Sequence, residues 1–243
     1  MKTRAAVLRK AGTPWEITEL ELDPPKANEV LIQMEAAGLC HSDEHIRSRG
    51  MARLPLVGGH EGAGVVMGVG GVGMNAVQGA AWAGANHVFA IDPNEWKQQQ
   101  ALQFGATHAF GDPVKAKDVL IDLTRGQLAD KVICTVGEMD NDVVKAAVDM
   151  TGKAGTIVIT GVGYYEMVLP GGILIGYHRK MQGSLFGGAN PLYDIPMILS
   201  LWHEGHIKLP ELITKKYTLD EINDGYQDLM DGKNIRGVLV HQH

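Results

Sequence analysis

Two short stretches carry the side chains that could hold a metal and move a proton. Cys40-His41-Ser42-Asp43-Glu44-His45 offers a thiolate, two imidazoles and a hydroxyl, and Gly58-Gly59-His60-Glu61-Gly62 adds a further imidazole and a carboxylate. Thiolate, imidazole and carboxylate are the ligand types that zinc accepts. The spacing by itself leaves two readings open, a metal site or a buried thiol with surface histidines. The second cysteine, Cys134, sits inside the apolar run Val132-Ile133-Cys134-Thr135-Val136 and reads as a core thiol. His203-Glu204-Gly205-His206 hints at metal but lacks the i, i+4 histidines of a zincin helix, so it reads as a solvated helix end.

A different chemistry stands at Gly68-Val69-Gly70-Gly71-Val72-Gly73, which fits G-x-G-x-x-G. Glycines there let a backbone approach a pyrophosphate, and the helix that follows aims its free N–H groups and positive dipole end at the anion. Asp92 falls 19 residues past Gly73, at the end of the next strand-like run, where an acid accepts hydrogen bonds from ribose hydroxyls. An acid at that point repels a 2′-phosphate, so NAD is expected over NADP. Asp92 has a plainer reading too, as N-cap of the next helix with Pro93 at the first helical position.

The elements that must position these groups are legible in outline. Ala5–Leu8, Ile17–Leu22 and Val30–Met34 read as strands of a small β unit, separated by Gly and Pro turns. From Gly64 to Gly188 strands alternate with helices, which argues for βαβ units and a parallel sheet. His87–Ile91, Lys131–Val136 and Thr156–Gly161 are the strand candidates. Gly73–Gly84, Pro93–Phe104 and Met139–Met150 are the helix candidates. Later come helices at Asp194–His203 and Thr218–Met230, the second opened by a Thr218/Glu221 capping box, and a last strand Gly237–Val240.

The 243 residues, 45% hydrophobic and 21% charged, suffice for a sizeable core. A net charge of −6 without a basic run argues against nucleic acid and anionic lipid. No apolar stretch is long enough to span a bilayer, and two cysteines suit a reducing compartment, so a cytoplasmic protein is expected.

The strings GLCHSDEH, GGHEGAG, GVGGVG, LQFGATHAF and DGKNIRGVLV occur in an order that resembles the zinc-dependent alcohol dehydrogenases of the medium-chain dehydrogenase/reductase family, and within it the NDMA-dependent, nicotinoprotein branch. The resemblance covers nearly the whole chain. It implies an α/β fold, a Rossmann-like parallel sheet with helices on both faces, plus a truncated GroES-like β domain. The expected division is a truncated catalytic domain at 1–64, an NAD-binding domain at 65–190 and a return to the catalytic domain at 191–243.

It further implies that Cys40 and His60 are zinc ligands with Glu61 beside the metal, and that Ser42 and His45 relay the alcohol proton to solvent. Asp43 would orient a ligand. His41 and Arg236 match positions contacting the pyrophosphate, Lys97 one near the adenosine ribose, and Val162 one lining the nicotinamide pocket; Arg236 read alone is an ordinary surface arginine. The implied reaction is hydride transfer between a small alcohol or aldehyde and NAD, with zinc as Lewis acid. Relatives associate through their cofactor domains, so a homo-oligomer is expected, with Gln182–Phe186 as the counterpart of the pairing edge.

One departure bears on all of this. In full-length relatives a long segment separates the counterparts of GGHEGAGVV and GVGGVG, whereas here only Met67 and Gly68 stand between Val66 and Val69. Missing with it are the structural zinc lobe, the third zinc ligand and the usual first Rossmann strand, for which Ala63–Met67 is the candidate substitute. A two-ligand site is expected to bind zinc weakly and to impair activity. Two rivals follow: a catalytically inactive NAD-binding remnant, and a zinc-independent quinone-reductase-like NAD(P)H oxidoreductase, against which Cys40 and His60 speak.

Overall fold

The computed structural model describes residues 2–23, 36–39, 44, 47–48, 54, 56–57, 70–137, 139–161, 166–169 and 171–241. They fall into two compact units, one of residues 1–65 with 211–243 and one of residues 66–210.

In the first unit, β1 (Lys2–Leu8) pairs antiparallel with β2 (Glu16–Glu21) and with β4 (Leu56–Val57). A second sheet has the order β10 (Ile213–Tyr217), β11 (Arg236–Val240), β3 (Ala36–Gly38). Its core gathers Ala6, Leu8, Trp15, Leu39 and Leu239 with Ile222 and Tyr226 of α7 (Ile222–Met230). The α7 apolar positions recur at helical spacing, so one face is buried while Asn223, Asp224 and Gln227 remain outward or half-buried. Thr218 and Glu221 form the capping box expected ahead of it. The strand candidate Val30–Met34 lies outside the described residues.

The second unit is α/β. Its described strands form two parallel sets, β5 (Phe89–Ile91) with β6 (His108–Phe110), and β7 (Ala129–Cys134), β8 (Thr151–Ile159), β9 (Lys180–Gly183) in that order. A doubly wound sheet runs 3-2-1-4-5-6, and these sets match 3-2 and 4-5-6. The first-strand candidate, Ala63–Met67, lies outside the described residues. Ala116 and Leu120 of α3 (Pro113–Thr124) pack with Met150 of α4 (Asn141–Met150) against Phe89, Ile91 and Phe110 on one side and Ala129 and Val132 on the other, so one apolar layer spans both sets. Cys134 lies in a second core with Val144, Val148 and Ile157, and burial pushes its thiol up to about 11. It is a core thiol. The remaining helices are α1 (Gly71–Trp82), α2 (Glu95–Gln103), α5 (Gly171–Gly176) and α6 (Pro191–His203).

Three details differ from expectation. Asp92 does not cap α2: the Asn94 side chain does, accepting from the Lys97 N–H at 3.3 Å. Of two good capping residues in Asp92-Pro93-Asn94, the one next to the helix reaches the free N–H groups. Helix α3 adds to the helix candidates of the sequence, with Asp112 capping it and Pro113 opening it. Residues 191–210 group with the unit of residues 66–210, not with residues 211–243. The Gln78 side chain of α1 bonds the Lys208 backbone at both its N–H and carbonyl (2.8 and 3.0 Å), and Lys208 Nζ reaches the Gln103 carbonyl at 2.6 Å. Among the described residues no helix is long and apolar enough to cross a membrane.

Candidate cofactor site

Ligands bind open α/β sheets beyond the carboxyl ends of the strands. Two of the features needed for a dinucleotide stand there. Gly70 is the N-cap of α1, and Gly71, Val72 and Gly73 form its buried first turn. No side chain caps this end and no acid lies in its first turn, whereas α2, α3 and α4 are capped by Asn94, Asp112 and Asp140. A capping carboxylate would compete with an incoming anion; among the described residues none meets the first-turn N–H groups of α1.

The second feature is Asp92, which directly follows β5 and is only 9% exposed. Its N–H donates to the Phe110 carbonyl of β6 at 3.0 Å, and its Oδ1 accepts the Asn94 N–H at 2.8 Å. Burial raises the carboxyl above its ordinary range; the Asn94 N–H and the nearby Lys97 ammonium pull the other way without cancelling it. A buried carboxylate with lone pairs left over is suited to accept hydroxyl donors. Lys97, half-buried one turn into α2, places positive charge beside it.

At the carboxyl ends of β7 and β8, the Thr160 hydroxyl and N–H both bond the Cys134 carbonyl (2.9 and 3.1 Å). A Cβ on Gly161 would sit 2.9 Å from the Val136 carbonyl, so this close approach requires glycine. Val162, the expected nicotinamide neighbour, lies outside the described residues, as do His41, Gly68, Cys40, His60, Glu61, Ser42 and His45. Arg236 opens β11, half-buried opposite Ile213. Among the described residues no group of three His, Cys, Asp or Glu side chains could hold a metal. His206 pairs with Glu204 at 3.4 Å at the surface, the solvated helix end expected there.

Sequence reasoning passed over a pair next to the proposed relay. Glu44, buried, accepts two bonds from the Arg47 guanidinium at 2.6 Å, and this raises the arginine further. Arg47 also donates to the Thr13 carbonyl at 3.3 Å, while its own carbonyl accepts the Gly12 N–H at 2.6 Å. The i, i+3 acid and arginine were visible in the sequence; their burial against residues 12 and 13 was not. The pair anchors the turn that follows Cys40, Ser42 and Asp43 in the chain.

A parallel α/β unit with an uncapped glycine N-terminus and an acid at the end of the following strand is the arrangement of doubly wound folds that take dinucleotides. A family model described as zinc-binding dehydrogenase matches residues 71–202, and one described as alcohol dehydrogenase GroES-like domain matches residues 26–111. The chain is 36% identical, over 368 aligned positions covering 99% of each chain, to the NDMA-dependent alcohol dehydrogenase of Amycolatopsis methanolica. It is 31% identical to alcohol dehydrogenase B of Mycobacterium tuberculosis, with 98% of each chain covered. The solved structure of benzyl alcohol dehydrogenase from Acinetobacter calcoaceticus superposes with a TM-score of 0.90 at 19% identity, covering 100% of both chains. The chain therefore belongs to the zinc-type alcohol dehydrogenase family of medium-chain dehydrogenase/reductases, and is an oxidoreductase by that membership. An alignment of 368 positions against 243 residues leaves at least 125 positions (368 less 243) of the Amycolatopsis protein facing no residue here.

Proposed function

We propose that this chain is a zinc-dependent, NAD-linked alcohol dehydrogenase that transfers hydride between a small alcohol or aldehyde and NAD. The observation that carries the reading is the uncapped N-terminus at Gly70 combined with the buried acid at Asp92. In this reading Gly68, Gly70, Gly71, Val72 and Gly73 face the pyrophosphate together with His41 and Arg236. Asp92 and Lys97 take the adenosine ribose, and Val162 lines the nicotinamide pocket. Cys40 and His60, with Glu61 alongside, are the residues that would hold zinc, whose Lewis acidity lowers the pKa of a bound alcohol. Ser42 and His45 pass the alcohol proton to solvent. With two cysteines in the chain, a four-thiolate structural zinc site cannot be assembled from its own residues.

The names of the relatives support an alcohol or aldehyde as substrate. A cytoplasmic homo-oligomer belongs to the same proposal. β9 is the outer described strand of its sheet, and Leu185 and Phe186, just beyond it, are 68% and 71% exposed, which suits an edge covered by a second copy. A second reading, an NAD-binding protein with impaired or no turnover, is favoured by the 125 or more unmatched positions.

Titration of the metal-analysed protein with NADH, followed by nicotinamide fluorescence, tests the proposal. Saturable binding that is lost in Asp92→Ala, about one zinc per chain, and NAD reduction by a primary alcohol are expected. Binding without turnover favours the second reading. Absence of NADH binding sinks both.

A further inference from the structure

Asp92 is fastened to its strand end by a side chain outside the glycine and acid fingerprint. Its carbonyl accepts a hydrogen bond from Gln98 Nε2 at 2.8 Å, and the Gln98 N–H in turn donates to the Asn94 carbonyl at 3.1 Å. The neighbouring strand leaves room for this contact. A Cβ on Gly111, the residue after β6, would lie 3.1 Å from Gln98 Nε2 and 3.9 Å from the Asp92 carbonyl oxygen. Pro93 restricts Asp92 to extended backbone. The Phe110 carbonyl holds its N–H, the Asn94 N–H takes one lone pair of Oδ1, and Gln98 holds its carbonyl. Backbone on both sides of the Asp92 Cα is thereby fixed, and so is the origin of its side chain.

We propose that Gln98 is a positioning residue for cofactor recognition: by tying the Asp92 carbonyl to α2, it presents the carboxylate to a free ribose diol and sets its charge against a 2′-phosphate. This rests on the NAD reading above. A carboxylate has about four lone-pair sites, so with one given to Asn94 enough remain for two hydroxyls. Freed from Gln98, the Asp92–Pro93 peptide can tilt, and the carboxylate swings toward water. Affinity for a free diol then falls while repulsion of a 2′-phosphate eases.

The test uses Gln98→Leu, which removes the donor but keeps the bulk, with two readouts. NADH affinity should weaken about tenfold, the effect of roughly one positioned hydrogen bond to a charged group, with NADPH affinity unchanged or improved. In the cofactor-free protein, the Asp92 carboxyl midpoint, followed by carbon-13 NMR, should fall toward its ordinary value as the group leaves its buried place. Gly111→Ala, which crowds the Gln98 amide from β6, should move both readouts the same way and less far, and it carries the comparison should Gln98→Leu fail to fold. An unmoved Asp92 midpoint overturns the proposal whatever the cofactors do. So does a parallel loss of NADH and NADPH affinity, the signature of a purely structural role. A midpoint that falls in a protein whose wild type binds neither nucleotide upholds the positioning role and overturns the NAD reading.

Discussion

Two aspartates, one in each unit, expose the same fraction of their surface but lie at different depths, and their surroundings treat them oppositely. Asp92 and Asp228 are each 9% exposed. Asp228, on α7, contacts Lys215 Nζ, accepts the Tyr217 hydroxyl at 2.9 Å and lies 3.5 Å from Lys233 Nζ. Its carboxyl is held below the ordinary value, first by the Lys215 bond and then by that of Tyr217. Asp92 receives one backbone N–H and the more distant field of Lys97, and burial wins. An acid neutralised by the fold strengthens the fold. An acid left short of partners weakens it and keeps its lone pairs for something else, which is what a binding site requires.

The largest expected effect is at the neutralised acid. Asp228→Ala deprives the buried Tyr217 hydroxyl of its acceptor and should lower unfolding stability by about 3 kcal/mol, the upper range for a hydrogen bond to a charged group, read as a drop in the urea midpoint. An unchanged midpoint would mean that the pairing only decorates the surface and that the comparison is void. Next is Asp92→Asn, which retains an acceptor for the Asn94 N–H. It should weaken NADH binding by about 2 kcal/mol, roughly 30-fold, while stability at neutral pH holds or rises. A stability loss like that of Asp228→Ala would show Asp92 to be structural.

The two acids also differ in how far the sequence exposed them. Asp92 stands at a fixed distance from a glycine turn, after a strand and before a helix start, and all of those signals are local. Asp228 sits in Tyr226-Gln227-Asp228-Leu229-Met230, where it reads as an ordinary helix-surface acid; its partners come from β10 and from the turn before β11. Pairing across elements leaves no local mark. The same holds for Gln98, whose contact is with a backbone carbonyl, and for Glu44, whose burial depends on the turn at residues 12 and 13. The helix α3 is a different case: Asp112-Pro113 is a local start signal for it. Lys208 ties residues 191–210 to the second unit through contacts with residues 78 and 103, at separations that no periodicity reveals.

The smallest effect is the sharpest test of the comparison, because it is one of sign. The Asp228 carboxyl is depressed from 3.8 by folding, so the stability it confers is complete above that value and is lost as pH falls through its folded midpoint. The Asp92 carboxyl is raised from 3.8, so its ionisation opposes folding. That penalty is absent below 3.8, grows as pH rises through the folded midpoint and is complete above it. In a series of urea midpoints from pH 7 down to pH 3, wild type therefore combines a loss from Asp228 with a partial recovery from Asp92. Asp228→Ala should flatten the acid limb, starting lower and converging on wild type. Asp92→Asn should steepen it, starting level or higher and losing its advantage as the wild-type acid protonates. Limbs that bend the same way in both variants would show that the two carboxyls are held alike, and the assignment of one to the fold and the other to the cofactor would fail.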